Sequence, residues 1–165
     1  MKLSDLATLP LTYSEVGATA GPLPAGYHHV QESAVIGSGR SRFEDAADKG
    51  MRWGMLLGAG LRVEATTEVA AVGSEVIVHL GPVRAPCRVV YLVDDPDRRG
   101  FAYGTLRGHA ETGEERFVVR YDPATDEVFA EVTAFSRHAT WWSRLGSPIT
   151  SVAQRVITDR YLRAL

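Results

Sequence analysis

Past Gly60 the apolar residues stop recurring every three or four positions and begin to alternate, and this change of period decides what the chain can build. Val76, Val78 and Leu80 alternate with Glu75, Ile77 and His79, and Cys87, Val89, Tyr91 and Val93 alternate with Arg88, Val90 and Leu92. Successive side chains of a strand point to opposite faces, so a period of two is the pattern of a sheet. Three further strands are expected over 100–106, 114–121 and 127–135. The links are short and rich in turn formers: Gly73–Ser74, Gly81–Pro82, the run 94–97 (DDPD) and the run 122–126 (DPATD). Links that short can only join antiparallel neighbours. Phe117, Val119 and Tyr121 share a face of their strand. In the last strand Val128, Ala130, Val132 and Ala134 share one face while Phe129, Thr133 and Phe135 occupy the other, so this strand should be covered on both sides.

Before Gly60 the pattern differs. Residues 27–36 read as a first strand closed by Gly37 and Gly39. Ser41 and Glu44 have the spacing of a capping box, and the following segment places Phe43, Ala46 and Ala47, continued by Met51 and Met55 or by Trp53 and Leu57, at near-helical spacing. Gly50, Gly54 and Gly58 interrupt that segment every fourth residue, each at a cost of ~1 kcal/mol relative to alanine in a helix. Two short helices with a break are expected, the alternative being a smooth stripe that lets a backbone or ligand approach. At the other end, Ser147 and Pro148 start a terminal helix, with Ile149, Val152, Ala153, Val156, Ile157, Tyr161 and Leu165 as its apolar stripe and Asp159–Arg163 as an i,i+4 pair. Residues 10–26, rich in proline, glycine and small polar residues, form an extended arm anchored by Tyr13 and Val16.

The expected fold class is therefore α+β: a curved antiparallel β-sheet of about six to seven strands wrapped around a long C-terminal helix, with a broken helix after the first strand. A length of 165 residues suits one domain over 1–165, with an arm at 1–26 and a core at 27–165. Eighteen basic against twenty acidic residues give a net charge of −2, which provides no field for a phosphate backbone, so no nucleic-acid partner is expected. A single cysteine, Cys87, forms no internal disulfide, and Asp5 and Pro10 interrupt the stretch a signal peptide would need. No run approaches ~18 uninterrupted apolar residues. These features together lead to the expectation of a cytoplasmic protein, monomer or homodimer, without stable membrane insertion.

The order of elements matches the helix-grip (START/Bet v 1-like) architecture. The segments 100–117 (GFAYGTLRGHAETGEERF), 134–149 (AFSRHATWWSRLGSPI) and 154–165 (QRVITDRYLRAL), with the openings 12–19 (TYSEVGAT) and 36–53 (IGSGRSRFEDAADKGMRW), resemble the domain-of-unknown-function family DUF1990 along nearly the whole chain. Arg107, Ala110 and His138 stand where that family's pattern more often has proline. The resemblance implies a fold and a largely bacterial, cytoplasmic type of protein. It implies no reaction. Members of the helix-grip fold hold apolar or amphipathic ligands between sheet and helix, and by analogy such a ligand is expected here.

Two polar sets are candidates for a site. Tyr103, Thr105, His109, Glu111, Glu114 and Glu115 surround a hairpin tip carrying Gly108 and Gly113, where a histidine and carboxylates in a cleft would supply acid–base groups. The spacing matches no zinc motif, and charged hairpin tips are commonly just solvated. Arg116, Ser136, Arg137 and Gln154, with Arg155 and Arg160, form the second set; they would seat an anionic head group or pair with neighbouring acids. Trp53, Trp141, Trp142, Tyr27 and Tyr103 would line a cavity or fill the core. His28 and His29 point to opposite faces and chelate no ion together.

Signatures of a nucleophile elbow, a phosphate loop or a zincin helix are missing, and Cys87 sits mid-strand among apolar residues. No cofactor and no metal are expected. The leading expectation is a binding protein whose ligand site includes Trp53, Tyr103, Thr105, His109, Glu115, Arg116 and Arg137, with Arg116 or Arg137 at its mouth. The alternatives are a small-molecule enzyme using Tyr103, His109 and Glu115, or a ligand-free interaction or dimerisation module.

Overall fold

The computed structural model describes residues 1–138 and 156–165. After two short 3-10 turns, Leu3–Asp5 and Ala18–Ala20, the elements run β1 (His28–Ser38), α1 (Arg40–Met51), α2 (Gly54–Gly58), β2 (Arg62–Ala65), β3 (Glu75–Leu80), β4 (Val83–Asp95), β5 (Arg98–Thr105), β6 (Glu111–Asp122) and β7 (Glu127–His138). All seven strands form one sheet in the order β1-β7-β6-β5-β4-β3-β2, and every neighbour is antiparallel. This is the α+β arrangement expected, with β2 added as an edge strand. Residues 156–162 are helical. The expected start of that helix at Ser147–Pro148, and with it Ile149, Val152, Ala153, Gln154, Arg155, Trp141 and Trp142, lies outside the described residues.

The helices cover one face of the sheet. Phe43, Ala46, Ala47, Trp53, Met55 and Leu56 join Val76, Val89, Phe101, Phe117, Val119, Val128, Val132, Tyr161 and Leu162 in the main core. The helical segment breaks as expected, at Arg52 and Trp53, where Trp53 takes a left-handed φ of 66°. That conformation costs a bulky residue energy, and burial offsets it: the indole packs edge-on against Phe101 at 5.1 Å and donates to the Thr67 carbonyl at 3.1 Å. The glycine stripe serves close approach as well, since a Cβ at Gly58 would lie 2.6 Å from that of Ala164 and one at Gly54 would press on Leu165. Three local expectations fail. Gly39, not Ser41, caps α1, in a conformation (φ 91°) that starts the helix too early for the Ser41–Glu44 box. Leu56 takes the inward position and Leu57 faces solvent, because the break at Trp53 rotates α2 relative to α1. Val156 is exposed while Leu162 and Thr158 are buried, although the Asp159–Arg163 pair forms at 3.1 Å.

The other, convex face is covered by the N-terminal arm. Leu6 packs with Ile77 and Leu106. Tyr13 lies over Gly104, where any Cβ would overlap its ring, and meets Phe135 edge-on at 5.6 Å. Glu114, buried on this face, accepts from the Tyr13 hydroxyl at 2.6 Å, the Gly17 N–H at 2.8 Å, the Thr19 N–H at 3.0 Å and the Thr19 hydroxyl at 2.5 Å. Arg88 holds the preceding residues by donating to the carbonyls of Leu6, Ala7 and Leu9 while pairing with Glu75 at 2.9 Å. The anchors are thus Leu6, Tyr13 and Thr19; Val16 is exposed.

A bulge in β4 overturns one further expectation. Register jumps between Val89, opposite Tyr103, and Tyr91, opposite Ala102. The extra residue reverses the side-chain parity, so Cys87 and Val89 face the helices whereas Tyr91 turns to the convex face and meets the Thr19 hydroxyl at 2.7 Å.

Candidate functional site

A cavity of about 310 Å³ opens between the concave face of the sheet and the terminal helix. Its walls are mostly apolar. Val78 on β3, Ala85 on β4, Val30 on β1 and Ala134 on β7 form the sheet side, and Ile157 and Tyr161 form the helix side. Leu80 and Val83, flanking the β3–β4 turn, line it too and are 43% and 47% exposed, so an apolar lip reaches solvent beside it.

Polar groups enter from the β5–β6 hairpin. Parity along β6 sends Phe117 and Val119 into the core, so Glu115, two residues earlier, points the same way and Glu114 points to the convex face. Across the pair, Tyr103 stands opposite Glu115, and its hydroxyl donates to Glu115 Oε2 at 2.9 Å. Removal from water pushes the Glu115 carboxyl up to about 7; the Tyr103 hydrogen bond works against that rise, and Glu111 adds to it. Burial, with the Glu115 charge beside it, keeps the Tyr103 phenol protonated, pushing it well above its usual range. Tyr161 and Cys87 are raised for the same two reasons.

His109 also lines the cavity. Its Nδ1 accepts the Glu111 N–H at 2.9 Å, which leaves the proton of the neutral ring on Nε2, and burial lowers its pKa and favours that neutral form. Thr105 is tied to the Gly113 backbone, taking its N–H at 3.0 Å and donating to its carbonyl at 3.2 Å. The hairpin tip is therefore ordered by its own bonds and by Thr12 of the arm, whose hydroxyl meets that of Thr105 at 2.6 Å and that of Thr112 at 2.7 Å.

Of the described residues expected at a site, the structure brings Tyr103, Thr105, His109, Glu111, Glu114, Glu115 and Ser136 to the lining of one cavity, whereas Trp53, Arg116 and Arg137 lie away from it. Trp53 fills the core against Phe101. Arg116 donates to Thr133 Oγ1 at 3.2 Å on the convex face, and Arg137 stacks over the Tyr27 ring at 4.6 Å, itself edge-on to Phe135. Neither arginine lines the cavity, so neither stands at its mouth. Alternation explains both: Arg116 follows an inward Glu115, and Arg137 follows an inward Ser136 that does line the cavity. That signal was present in the sequence. Sequence reasoning missed Val30, Leu61, Leu80 and Val83, which are ordinary strand and turn residues until register places them. Among the described residues, no group of three or more His, Cys, Asp and Glu side chains converges as a metal site, and no helix is long and apolar enough to cross a membrane.

Comparisons with known proteins agree with this architecture. A family model described as "Domain of unknown function (DUF1990)" matches residues 12–164. A UPF0548 protein of Deinococcus radiodurans is 41% identical over 114 residues, which make up 62% of this chain and 57% of that relative. A UPF0548 protein of Arabidopsis thaliana is 31% identical over 134 residues, 73% of this chain and 63% of the relative. The matched segment thus spans less than two thirds of either relative, and the similarity reaches beyond bacteria. Among solved structures, norcoclaurine synthase from Thalictrum flavum, in complex with dopamine and hydroxybenzaldehyde, aligns with a TM-score of 0.55 at 11% identity over 94% of each chain. That likeness is one of fold.

Proposed function

We infer, for a chain that belongs to the DUF1990 family of domains of unknown function, that its cavity binds an apolar or amphipathic small molecule between sheet and terminal helix. One observation carries the reading: a space of about 310 Å³ with apolar walls, into which Tyr103 and Glu115 project as a hydrogen-bonded polar pair. Ligand clefts run from ~300 to ~1,000 Å³ and combine apolar walls with a few placed polar groups. The volume suits a compact molecule of one or two rings. Leu80 and Val83 at the lip supply an apolar path of entry. A cytoplasmic setting, action as one domain and a monomeric or homodimeric state belong to the same proposal, with the buried, unpaired Cys87 in keeping with a reducing compartment.

Two measurements test the reading. Native mass spectrometry of protein purified from its own host should reveal a co-purifying molecule, and a fluorescent apolar probe should bind with a lifetime and shift typical of a dry site. Ala134→Phe, which puts a ring into the cavity, should abolish probe binding while leaving the far-ultraviolet circular dichroism unchanged. Undiminished probe binding in that variant refutes the reading.

A second reading rests on the Glu115 carboxyl being pushed up to about 7 in contact with a phenol. A group that gains and loses a proton near neutrality is suited to general acid–base chemistry, so the cavity would be that of an enzyme acting through Glu115, Tyr103 and His109. Replacement of His109 and Glu115 by alanine distinguishes the two. Loss of turnover with binding retained favours the enzyme; parallel loss of binding alone favours a carrier.

A further inference from the structure

We propose that the cavity selects a cationic amphiphile, an organic amine whose ammonium group sits on the Glu115 carboxylate and whose apolar body fills the space toward Val78, Ala134 and Ile157. This rests on the pocket reading above and names the ligand class for the same site.

The argument begins with charge. Among the described residues that line the cavity there is no lysine or arginine; the ionisable groups there are acidic or, in His109, held neutral. Three arginines among the described residues are engaged elsewhere: Arg88 by Glu75 and the arm, Arg116 by Thr133, Arg137 by Tyr27. Glu115 is thus a carboxyl in an apolar wall without a cationic partner among these residues. Tyr103 satisfies Oε2, and Oε1 takes no hydrogen bond from the described residues. Burying an ionised carboxylate without a counter-charge is costly, and a carboxyl in that position stays protonated until a cation arrives. An ammonium supplies both the charge and the donor for Oε1, and it does so in surroundings where a charged hydrogen bond is strong. A ligand carboxylate or phosphate brings no counter-charge for Glu115 and gains nothing from its ionisation.

Among the described residues, the groups facing Glu115 are consistent with this selection. Tyr103 from β5, Cys87 from β4 and Tyr161 from the terminal helix stay neutral, burial favours the neutral form of His109 at the hairpin tip, and Glu111 beside it adds to the rise at Glu115. When the ammonium binds, Glu115 loses its proton to solvent, so charge and protons balance: one cation enters, one proton leaves. Amine affinity must then fall about tenfold per pH unit below neutrality and level off above it, until the amine itself deprotonates.

Three probes with one apolar body test the proposal: 2-(1-naphthyl)ethylamine, 2-(1-naphthyl)ethanol and 1-naphthylacetate, titrated calorimetrically into the full chain between pH 5.5 and 8.5 in two buffers of different ionisation enthalpy. The expected result is an amine bound about tenfold or more tightly than the alcohol at pH 8, with close to one proton released per amine at pH 6. In Glu115→Gln the preference and the proton release should both vanish while the alcohol still binds. Equal or tighter binding of the alcohol or the carboxylate, or an amine preference that survives in Glu115→Gln, overturns the amine inference and leaves the pocket reading standing. Failure of all three probes to bind, or binding that Ala134→Phe does not reduce, overturns the pocket reading itself.

Discussion

Replacing Glu115 by glutamine should stabilise the protein at alkaline pH and leave it unchanged in acid. The native carboxyl titrates at about 7 against a reference of 4.5 because burial disfavours its charged form. A carboxyl whose folded value lies above its unfolded value holds its proton more tightly in the native chain. Its favourable contribution is complete below pH 4.5, is lost as pH rises toward 7, and is absent above. At ~1.4 kcal/mol per pH unit that interval corresponds to about 3 kcal/mol, and because Glu115 is only partly buried a penalty of about 2 kcal/mol is expected at pH 8. Glutamine has the same shape, keeps an oxygen for the Tyr103 hydroxyl and carries no charge, so it escapes the penalty. Urea denaturation followed by tryptophan fluorescence at pH 5, 6, 7 and 8 measures the difference. The two curves should differ by only about 0.5 kcal/mol at pH 5 and separate by about 2 kcal/mol at pH 8, roughly 4–8 °C in Tm for a chain of this size. Parallel curves, or a variant that is less stable at pH 8, would show that a cation already compensates the carboxylate and would refute the reasoning.

The arm and the core give further expectations. Glu114→Ala leaves the Tyr13 hydroxyl and the Thr19 N–H and hydroxyl without their acceptor, and should cost about 3 kcal/mol while opening residues 12–20 to limited proteolysis. Gly104→Ala places a methyl group where the Tyr13 ring lies, so it should release the same segment to protease without disturbing β5, as hydrogen exchange would report. Trp53→Ala should cost about 3–5 kcal/mol in chemical denaturation, because it removes both the contact with Phe101 and the bond to Thr67 from a residue held at positive φ.

The parts of the fold that could be read from the chain are those where one period runs without interruption between turn formers. β3, β5, β6 and β7 are of this kind, and the Gly81–Pro82 and 122–126 links close the hairpins as their residues suggest. β2 went unseen because Arg62–Ala65 has four residues, too few to show a period. The bulge at Val89–Tyr91 was invisible for another reason: an inserted residue leaves the hydrophobic pattern intact and only reverses which face each later side chain takes. At the start of α1 a backbone conformation open to Gly39, legible in the sequence only as the turn closing β1, prevails over the side-chain box at Ser41. Val16 looked like an anchor on hydrophobicity alone, yet Thr19 is buried in its place because its hydroxyl and N–H find Glu114.

The candidate site shows the same division by parity. Glu114, Glu115 and Arg116 are consecutive, and composition alone treats them as one charged cluster. On a strand they cannot act together: Glu115 shares a face with Phe117 and Val119, while Glu114 and Arg116 share the other with Val118. One carboxylate therefore clamps the arm by four hydrogen bonds, its neighbour has only the Tyr103 hydroxyl as a hydrogen-bond partner among the described residues, and the adjacent arginine is on the wrong side of the sheet to neutralise it. A single-residue slip in β6 would exchange these roles, bringing Arg116 into the cavity and Glu115 under Tyr13. The register Tyr103–Glu115 opposite Ala134 is consequently what gives the cavity its acidic character, and the chemistry of any ligand follows from that pairing more than from the number of charges nearby.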